Sequence, residues 1–439
     1  MIRSEVNNKL REFARSLSPT EHERETISKV YSSLQEILGK NNCIQVGSYP
    51  RYTSITPIHD LDILYVIGGW SEDSDLQDPE YALREVEKLI RSDYNDYCPN
   101  GYLYRVYAQN HSVVIELEGE TKFSVDIVPC YEWSKNEYGD YMYKVPEVIK
   151  VKDHNERKNT YWSPTDKSSW ISSDPRGYIK QAQEVGSNDD FRKAVKIVKY
   201  WKQTLRDIDN NLKLKSFHLE QVITRRFQNN SEEDLIGALF YFFTEISNIV
   251  NNPDCIEDRA QRGKYIDDYL KTITDRQKSI IKKTKDMVLV RLESIDDYEA
   301  EYIFKAQEYN RDPSEDFIFD SGYLSVVDLS HQFDISYDQQ DKFENRRQRR
   351  ARMRKGIPKQ KELYFKIIDG FEKELEYYWK VQNSKKLSVD KRRGEITKGR
   401  THNNPEHTEY TGEHYVECFG VNGSGECVRR ARCEVVIGD

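Results

Sequence analysis

The sequence predicts an α+β fold in three parts: a mixed sheet with helices, a helical lobe, and a small β-rich C-terminal unit. Three observations predict it. Apolar residues at three- and four-residue steps (Leu10, Phe13, Leu17, then Ile27, Val30, Leu34 and Ile37) mark residues 1–40 as helical. Short apolar runs mark strands at 43–46, 61–67, 102–107, 112–117 and 123–128. Beyond about residue 170 the pattern is mostly helical to about residue 310, and the chain then changes character and ends in a hairpin.

Taken in order, 167–176 is rich in Ser, Trp, Asp and Pro and reads as a loop crossing between the first two parts. In 191–205, positions 191, 194, 195, 198, 201 and 205 form one apolar arc at about 100° per residue. Asp312-Pro313 breaks the helical pattern, and a charged stretch with Gly356-Ile357-Pro358 follows. Near the end, Asn422-Gly423-Ser424-Gly425 reads as the turn of a hairpin between 415–421 and 427–437. The division that follows is 1–170, 171–335, a charged linker at 336–362, and 363–439.

Composition narrows the class. Charged residues make up 32% and hydrophobic ones 37%, as expected of a globular protein with a highly charged surface. The longest strongly apolar stretch, 235–243, is far short of the roughly 20 residues that cross a bilayer. The start of the chain has no apolar leader, and seven cysteines without close pairing argue against a secreted disulfide framework, so the expectation is a cytoplasmic protein. The net charge is −8, yet 346–355 is densely cationic. That run reads either as a solvated face or linker, or as a contact for a polyanion such as nucleic acid.

The chemistry concentrates at three acidic residues. Asp60 and Asp62 are separated by one residue in an apolar strand, so both project from the same face. Asp126 sits alone in a second apolar strand, 123–128. A buried carboxylate without a partner is costly, and metal ions would relieve that cost. The three together make an oxygen cage suited to two Mg²⁺ (or Mn²⁺) ions about 3.5–4 Å apart, a two-metal nucleotidyl-transfer site. Upstream, Gly47 lets the backbone approach a phosphate, and Ser48 offers a hydroxyl and an N–H at a chain reversal.

In this order the motifs Gly47-Ser48-Tyr49-Pro50-Arg51-Tyr52-Thr53, Asp60-Leu61-Asp62 and Val125-Asp126-Ile127 resemble the signature of polymerase-β-type nucleotidyltransferases. Over roughly the first 330 residues the chain is most similar to the bacterial relatives of cyclic GMP–AMP synthase and oligoadenylate synthase. These are the CD-NTases, which carry a SMODS domain. One departure is Tyr52, where many relatives have Gly. The resemblance implies that Lys199, in Lys199-Tyr200-Trp201-Lys202, grips a triphosphate, that Ser216 touches phosphates, and that Phe217 stacks on the donor base. By helical angle Lys199 lies just past the rim of the apolar arc and Lys202 is an equal competitor. His218 has no metal-ligand spacing to another His or Cys.

The tail resembles the C-terminal sensor domain attached to such transferases. Trp379, Tyr410 and Tyr415 offer flat faces for bases, and Lys391, Arg392, Arg393 and Arg400 offer cations for phosphates. Cys418, Cys427 and Cys433, with His402, His407 and His414, lack zinc spacing and read instead as buried strand thiols. The leading expectation is a Mg²⁺-dependent enzyme that joins NTPs into an oligonucleotide second messenger; the resemblance supplies the words cyclic and antiviral. Expected partners are the NTPs, a product bound by the C-terminal unit and a downstream effector. The alternatives are a transferase that makes linear chains or tails a nucleic acid or protein, and a nucleotide-binding sensor without catalysis. Intact Asp60, Asp62 and Asp126 argue against the last.

Overall fold

Ser18-Pro19-Thr20 divides the N-terminal helical stretch in two, because Pro19 has no N–H to continue a helix. A computed structural model describes residues 3–70, 78–119, 122–150, 165–325, 333–339, 356–399 and 405–438. In it, helix α1 runs Arg3–Ser16 and α2 runs Glu21–Leu38. Thr20 caps α2: its hydroxyl accepts from the Glu23 N–H at 3.2 Å, and the Glu23 carboxylate accepts from the Thr20 N–H at 2.7 Å. The other Glu23 oxygen accepts from the Ile58 N–H at 2.8 Å and the Thr56 hydroxyl at 3.1 Å. One cap therefore also holds the chain that leads into Asp60.

The first sheet comprises β1 (Cys43–Val46), β2 (Asp60–Gly69), β3 (Leu103–Ala108), β4 (Val113–Glu118), β5 (Lys122–Lys135), β6 (Tyr141–Lys150) and β7 (Thr165–Ser173). Its order is β1-β2-β5-β4-β3, with β6 on β5 and β7 on β6. The β2–β5 pair is parallel and the other pairs are antiparallel. Helix α3 (Pro79–Asp93) and α2 cover one face, burying Ile27, Val30, Leu34, Leu83 and Ile90 against Leu61, Ile63, Val125 and Ile127. All five expected strands are present, four of them to within two residues at the ends, while β5 runs on to Lys135, past the expected end at 128.

The expected crossing loop at 167–176 is instead the strand β7 followed by a helix start. Val145 pairs with Ile171, and Trp170 meets the Trp70 and Tyr131 rings at 6.0 and 5.1 Å. Pairing with β6, and aromatic partners from β5 and from just past the end of β2, override the weak strand preference of a Ser-rich segment. Asp174 then caps α4 (Pro175–Val185), with Pro175 in the first turn.

The helical lobe holds α5 (Asp189–Thr204), α6 (Ser216–Asn229), α7 (Leu235–Asn251), α8 (Asp275–Glu293) and α9 (Ala300–Phe304), with a short hairpin of β8 (Glu257–Asp258) and β9 (Gln261–Tyr265). Its apolar cluster takes in Val6, Leu10, Phe13 and Leu17, so α1 packs with the lobe while α2 packs on the sheet. Among the described residues, no helix is long and apolar enough to cross a membrane.

The C-terminal unit has two sheets. One has the order β10 (Leu324–Ser325), β17 (Glu426–Ile437), β16 (Gly412–Val421), β13 (Glu376–Gln382) and β14 (Ile396–Lys398). The other joins β11 (Asp334–Gln339), β12 (Glu362–Asp369) and β15 (Glu406–His407). Residues 334–339, at the edge of the expected linker, are thus a strand, while the cationic run 346–355 lies outside the described residues. The hairpin at Asn422 is as expected: its Oδ1 accepts the N–H groups of Ser424 and Glu426, both at 3.0 Å. Cys418 and Cys427 are buried in strands and Cys433 is half-buried.

The outer face of the larger sheet meets the lobe through buried charge. Lys380 Nζ lies 3.0 Å from Glu315 Oε1, and Arg430 donates to Glu417 at 2.7 Å. Glu293, at the end of α8, is enclosed beside them, and burial raises its carboxyl to about 7 against the pull of Arg430 and Lys380. Removing one partner of a buried pair strands the other charge. Glu315→Ala is expected to cost about 3 kcal/mol in denaturant unfolding, and pairing Glu315→Leu with Lys380→Met should recover most of it.

Candidate active site

Strands β2 and β5 run parallel with Asp62 opposite Asp126 and Asp60 opposite Ser124. Leu61, Ile63, Val125 and Ile127 are fully buried on the face that α2 and α3 cover. Alternation therefore puts Asp60, Asp62 and Asp126 together on the other face. Burial, then the neighbouring Asp60 and Asp126 carboxylates, raise the Asp62 carboxyl to about 7. Burial also raises that of Asp126, opposed by the Ser112 hydroxyl, which donates to Asp126 Oδ1 at 3.0 Å.

Among the described residues no three His, Cys, Asp or Glu side chains are gathered tightly enough to hold an ion as they stand. The donor set nevertheless fits hard divalent cations, being all oxygen, sharing one face, and mutually repelling.

Gly47 has a further role beside the expected one. Its φ is +76°, and a Cβ built there would lie 1.8 Å from Asp62 Oδ2. What approaches the bare backbone is thus the Asp62 carboxylate. The loop then turns on itself, with the Ser48 carbonyl accepting the Thr53 N–H at 3.1 Å. Tyr52, where the family pattern favours Gly, has φ +60°, a conformation that costs an L-residue roughly 1–2 kcal/mol. Its exposed ring lies under the Arg192 guanidinium at 5.0 Å.

Facing the carboxylates is a cluster that sequence reading missed. Glu220, on α6, is 1% exposed. It accepts from Arg51 Nε at 2.6 Å and from the Thr53 hydroxyl at 3.0 Å, and lies 3.2 Å from Lys199 Nζ. Lys199 also donates to the Thr53 carbonyl at 2.9 Å. Burial alone would push the Glu220 carboxyl up, but Lys199 and Arg51 hold it down at about 2. For Lys199 burial wins, lowering the ammonium despite Glu220. Two cations share one carboxylate, so the cluster carries a formal positive surplus, which the burial of Lys199 weakens. Glu220 carries no signal in the sequence beyond being the one acidic residue of its helix.

Between these walls is a cleft of about 770 Å³. Gly47, Ser48, Asp60, Asp62 and Lys199 line it, together with Ser216 and Phe217 at the start of α6. Asp126 stands opposite Asp62 in the strand register, half-exposed, and is not among the residues that line the cleft. Phe217 packs edge-to-face on Tyr178 at 4.8 Å, with the Arg51 guanidinium 5.5 Å from its ring. Lys199, expected at the rim, is buried and engaged. Lys202 and Arg206, one and two turns further along, also line the cleft. Burial, with Arg206 and Lys199 adding, lowers the Lys202 ammonium to about 8. His218 faces away, 2.9 Å from the Tyr269 hydroxyl.

Two outcomes follow for this geometry. Gly47→Ala should displace Asp62 and abolish activity while leaving the thermal midpoint within a few degrees. Glu220 has its folded pKa below the ordinary 4.5, so its stabilisation is complete above that pH and fades as pH falls towards about 2. Acid titration of stability should show this loss, about 3 kcal/mol at most, and Glu220→Gln should remove the dependence.

Comparison with known proteins points the same way. Residues 5–150 match the family model of the Second Messenger Oligonucleotide or Dinucleotide Synthetase (SMODS) domain, and residues 312–438 that of the Adenylyl/Guanylyl and SMODS C-terminal sensor domain. A probable cyclic nucleotide synthase of Bacillus cereus (strain VD146) is 23% identical over 258 residues, which is 52% of this chain and 70% of that protein. Among solved structures, CdnC of E. coli MS115-1 with ATP is 16% identical with a TM-score of 0.47, covering 68% of this chain and 94% of that one. The CdnE cyclic dinucleotide synthase of Elizabethkingia meningoseptica, with GTP and Apcpp, is 18% identical with a TM-score of 0.39, covering 56% and 85%. With a SMODS domain at one end and the SMODS-associated sensor domain at the other, the chain belongs to the bacterial CD-NTase family of nucleotidyltransferases.

Proposed function

We propose that this enzyme joins NTPs into a short, cyclic oligonucleotide second messenger read by a downstream effector. The observation that carries the reading is the polarity of the cleft: Asp60 and Asp62 line one side, with Asp126 beside Asp62 on the neighbouring strand, and Arg51, Lys199 and Lys202 line the other. Asp60 and Asp62 would hold two Mg²⁺ (or Mn²⁺) ions, with Asp126 also binding the one nearer the attacking hydroxyl. Bound there, such ions supply Lewis-acid activation of the hydroxyl and neutralise charge at the leaving pyrophosphate.

The chain's own residues do the positioning, which is most of what phosphoryl transfer asks of a protein. The cluster of Arg51, Lys199 and Glu220, with Lys202, faces the triphosphate with net positive charge. Ser216 adds a hydroxyl at the N-terminus of a 14-residue helix, where anions are favoured. The Ser48 hydroxyl lies on the opposite lip, and Phe217 offers a ring to the base. The sheet with its helices and the helical lobe form the two walls, and the C-terminal unit lies beyond the lobe. Cyclisation and a role in antiviral defence are supported by family membership. NTPs are cytoplasmic metabolites, which supports a cytoplasmic location.

Incubation with radiolabelled NTPs and Mg²⁺ or Mn²⁺, followed by phosphatase and linkage-specific nucleases, tests the reading. Phosphatase-resistant product is expected, whereas phosphatase-sensitive chains would overturn cyclisation. Asp60→Ala, Asp62→Ala and Asp126→Asn should each lower incorporation by at least ~10³ in folded protein. Clear turnover by Asp62→Ala would end the two-metal reading. Lys202→Ala should raise KM more than it lowers kcat. Lys199→Ala should do the same and also lower the thermal midpoint, because Lys199 is part of the buried cluster.

A further inference from the structure

Of the groups expected to contact an oligonucleotide in the C-terminal unit, Trp379 is buried, and Arg392 and Arg393 pair with Asp312, Glu395 and Glu406. The cleft, by contrast, holds two polar side chains that phosphoryl transfer does not use: Tyr178 on α4 and Asp258 on β8 both line it. They sit together with Phe217. Tyr178 meets the Phe217 ring edge-to-face at 4.8 Å. Its hydroxyl oxygen accepts, at 3.1 Å, the N–H of Arg259, the residue next to Asp258.

The β8–β9 hairpin is tied down on both sides of Asp258. Arg259 reaches across to the first sheet, with Nε 3.0 Å from Asp174 and Nη2 2.5 Å from Asp140. The Gln261 amide donates to the Ser172 carbonyl at 2.8 Å. Asp258 itself accepts the Ala260 N–H at 2.8 Å and also the Gln261 N–H, which closes the turn. A carboxylate has about four lone-pair sites, so about two remain. Because Arg259 is turned to Asp140 and Asp174, Asp258 is in no ion pair among the described residues. It is half-buried, and a carboxylate partly withdrawn from water gains from a ligand that donates to it.

Tyr178 contributes the opposite polarity. Burial, and then the neighbouring Asp258 carboxylate, raise its hydroxyl, so it keeps its proton. The oxygen already accepts from Arg259, and among the described residues nothing takes the proton. One donor beside an acceptor-only group complements a base edge that carries one acceptor next to two donors. Guanine has that edge: O6, N1–H and N2–H₂. Adenine would satisfy the hydroxyl at N1 and only one carboxylate site at N6. Cytosine sets a bare ring nitrogen beside its amino group, and uracil flanks its one N–H with two carbonyls, whose lone pairs a carboxylate repels.

We infer that Tyr178 and Asp258 select guanine at the base position beside Phe217, the hydroxyl donating to O6 and the carboxylate accepting from N1–H and N2–H₂. The inference rests on the transferase reading for the presence of a nucleotide in the cleft, and adds which base that nucleotide carries.

Calorimetry on the full-length chain, with Ca²⁺ in place of Mg²⁺, reads binding apart from turnover. GTP is expected to bind at least ~10-fold more tightly than ATP, UTP or CTP, because a site built to pair with hydrogen-bonding groups rejects ligands that leave it unpaired. ITP, which keeps O6 and N1–H but lacks the 2-amino group, should fall between GTP and ATP. Asp258→Asn preserves the turn, since its amide oxygen still accepts from Ala260, but it turns donors towards the base. It should weaken GTP by about 10-fold and ATP little. Tyr178→Phe should weaken GTP and ITP by the same factor. GTP bound no more tightly than ATP, ITP bound as tightly as GTP, or a preference that Asp258→Asn leaves unchanged would each overturn the inference. The first two are read on the unaltered chain and stand even if a variant fails to fold. Incorporation of radiolabelled NTPs with Mg²⁺ is measured alongside. Incorporation without guanine-selective binding overturns the base assignment and leaves the transferase reading standing. Guanine-selective binding by a chain that incorporates nothing upholds the base assignment and overturns the transferase reading.

Discussion

Glu220 sits almost wholly out of water between Arg51, Lys199 and the Thr53 hydroxyl. A carboxylate buried this deeply stays ionised only while its partners are in place. Those partners come from different parts of the chain: Arg51 and Thr53 from the loop after β1, Lys199 from α5, and Glu220 itself from α6. The charge thus ties the first sheet to the helical lobe, and the cleft is the space between the two. A second tie is Glu23, which completes the Thr20 cap of α2 and also accepts from Thr56 and Ile58. Together they fix both ends of the segment that carries the chain from Ser48 to Asp60.

The same pin sets the electrostatics. Because two cations share one carboxylate, the wall facing the aspartates keeps a positive surplus, and Lys202 and Arg206 extend it. On the opposite wall burial, and then repulsion from Asp60 and Asp126, lift the Asp62 carboxyl to about 7. A polyanionic substrate is attracted by one wall, and cations are attracted by the other. Gly47 is part of this arrangement, since only a residue without a Cβ leaves room for the Asp62 carboxylate.

The C-terminal unit meets the lobe through a comparable device. Lys380 with Glu315 and Arg430 with Glu417 place charge on the outer face of its larger sheet, against the end of α8 and the enclosed Glu293. The inner face of that sheet lines a cavity of about 500 Å³, with His414 in its wall. Strand alternation thus puts the cavity and the ionic seam on opposite sides of one sheet: Trp379 and Val416 face in, and Lys380 and Glu417 face out.

What the sequence determined by itself was local. The period-two pattern around Asp60 and Asp62 placed both on one strand face, the apolar flanks of Asp126 marked its strand, and Asn422-Gly423-Ser424-Gly425 announced its hairpin. Each of these signals lies within a few residues of the feature it specifies. Tertiary structure decided the rest. Lys199 lies at the rim of its helix by angle, yet it is buried because Glu220 and Thr53 converge on it across the cleft. Ser112 reaches Asp126 only because β4 pairs beside β5. Segment 165–173 is a strand because β6 and two aromatic rings receive it, and α1 leaves its neighbour α2 because its apolar face matches the lobe. Arg51 and Glu220 are 169 residues apart, and no local periodicity encodes a partner at that range. Side-chain spacing records which way a residue points, while the identity of what it meets depends on which elements the completed fold brings together.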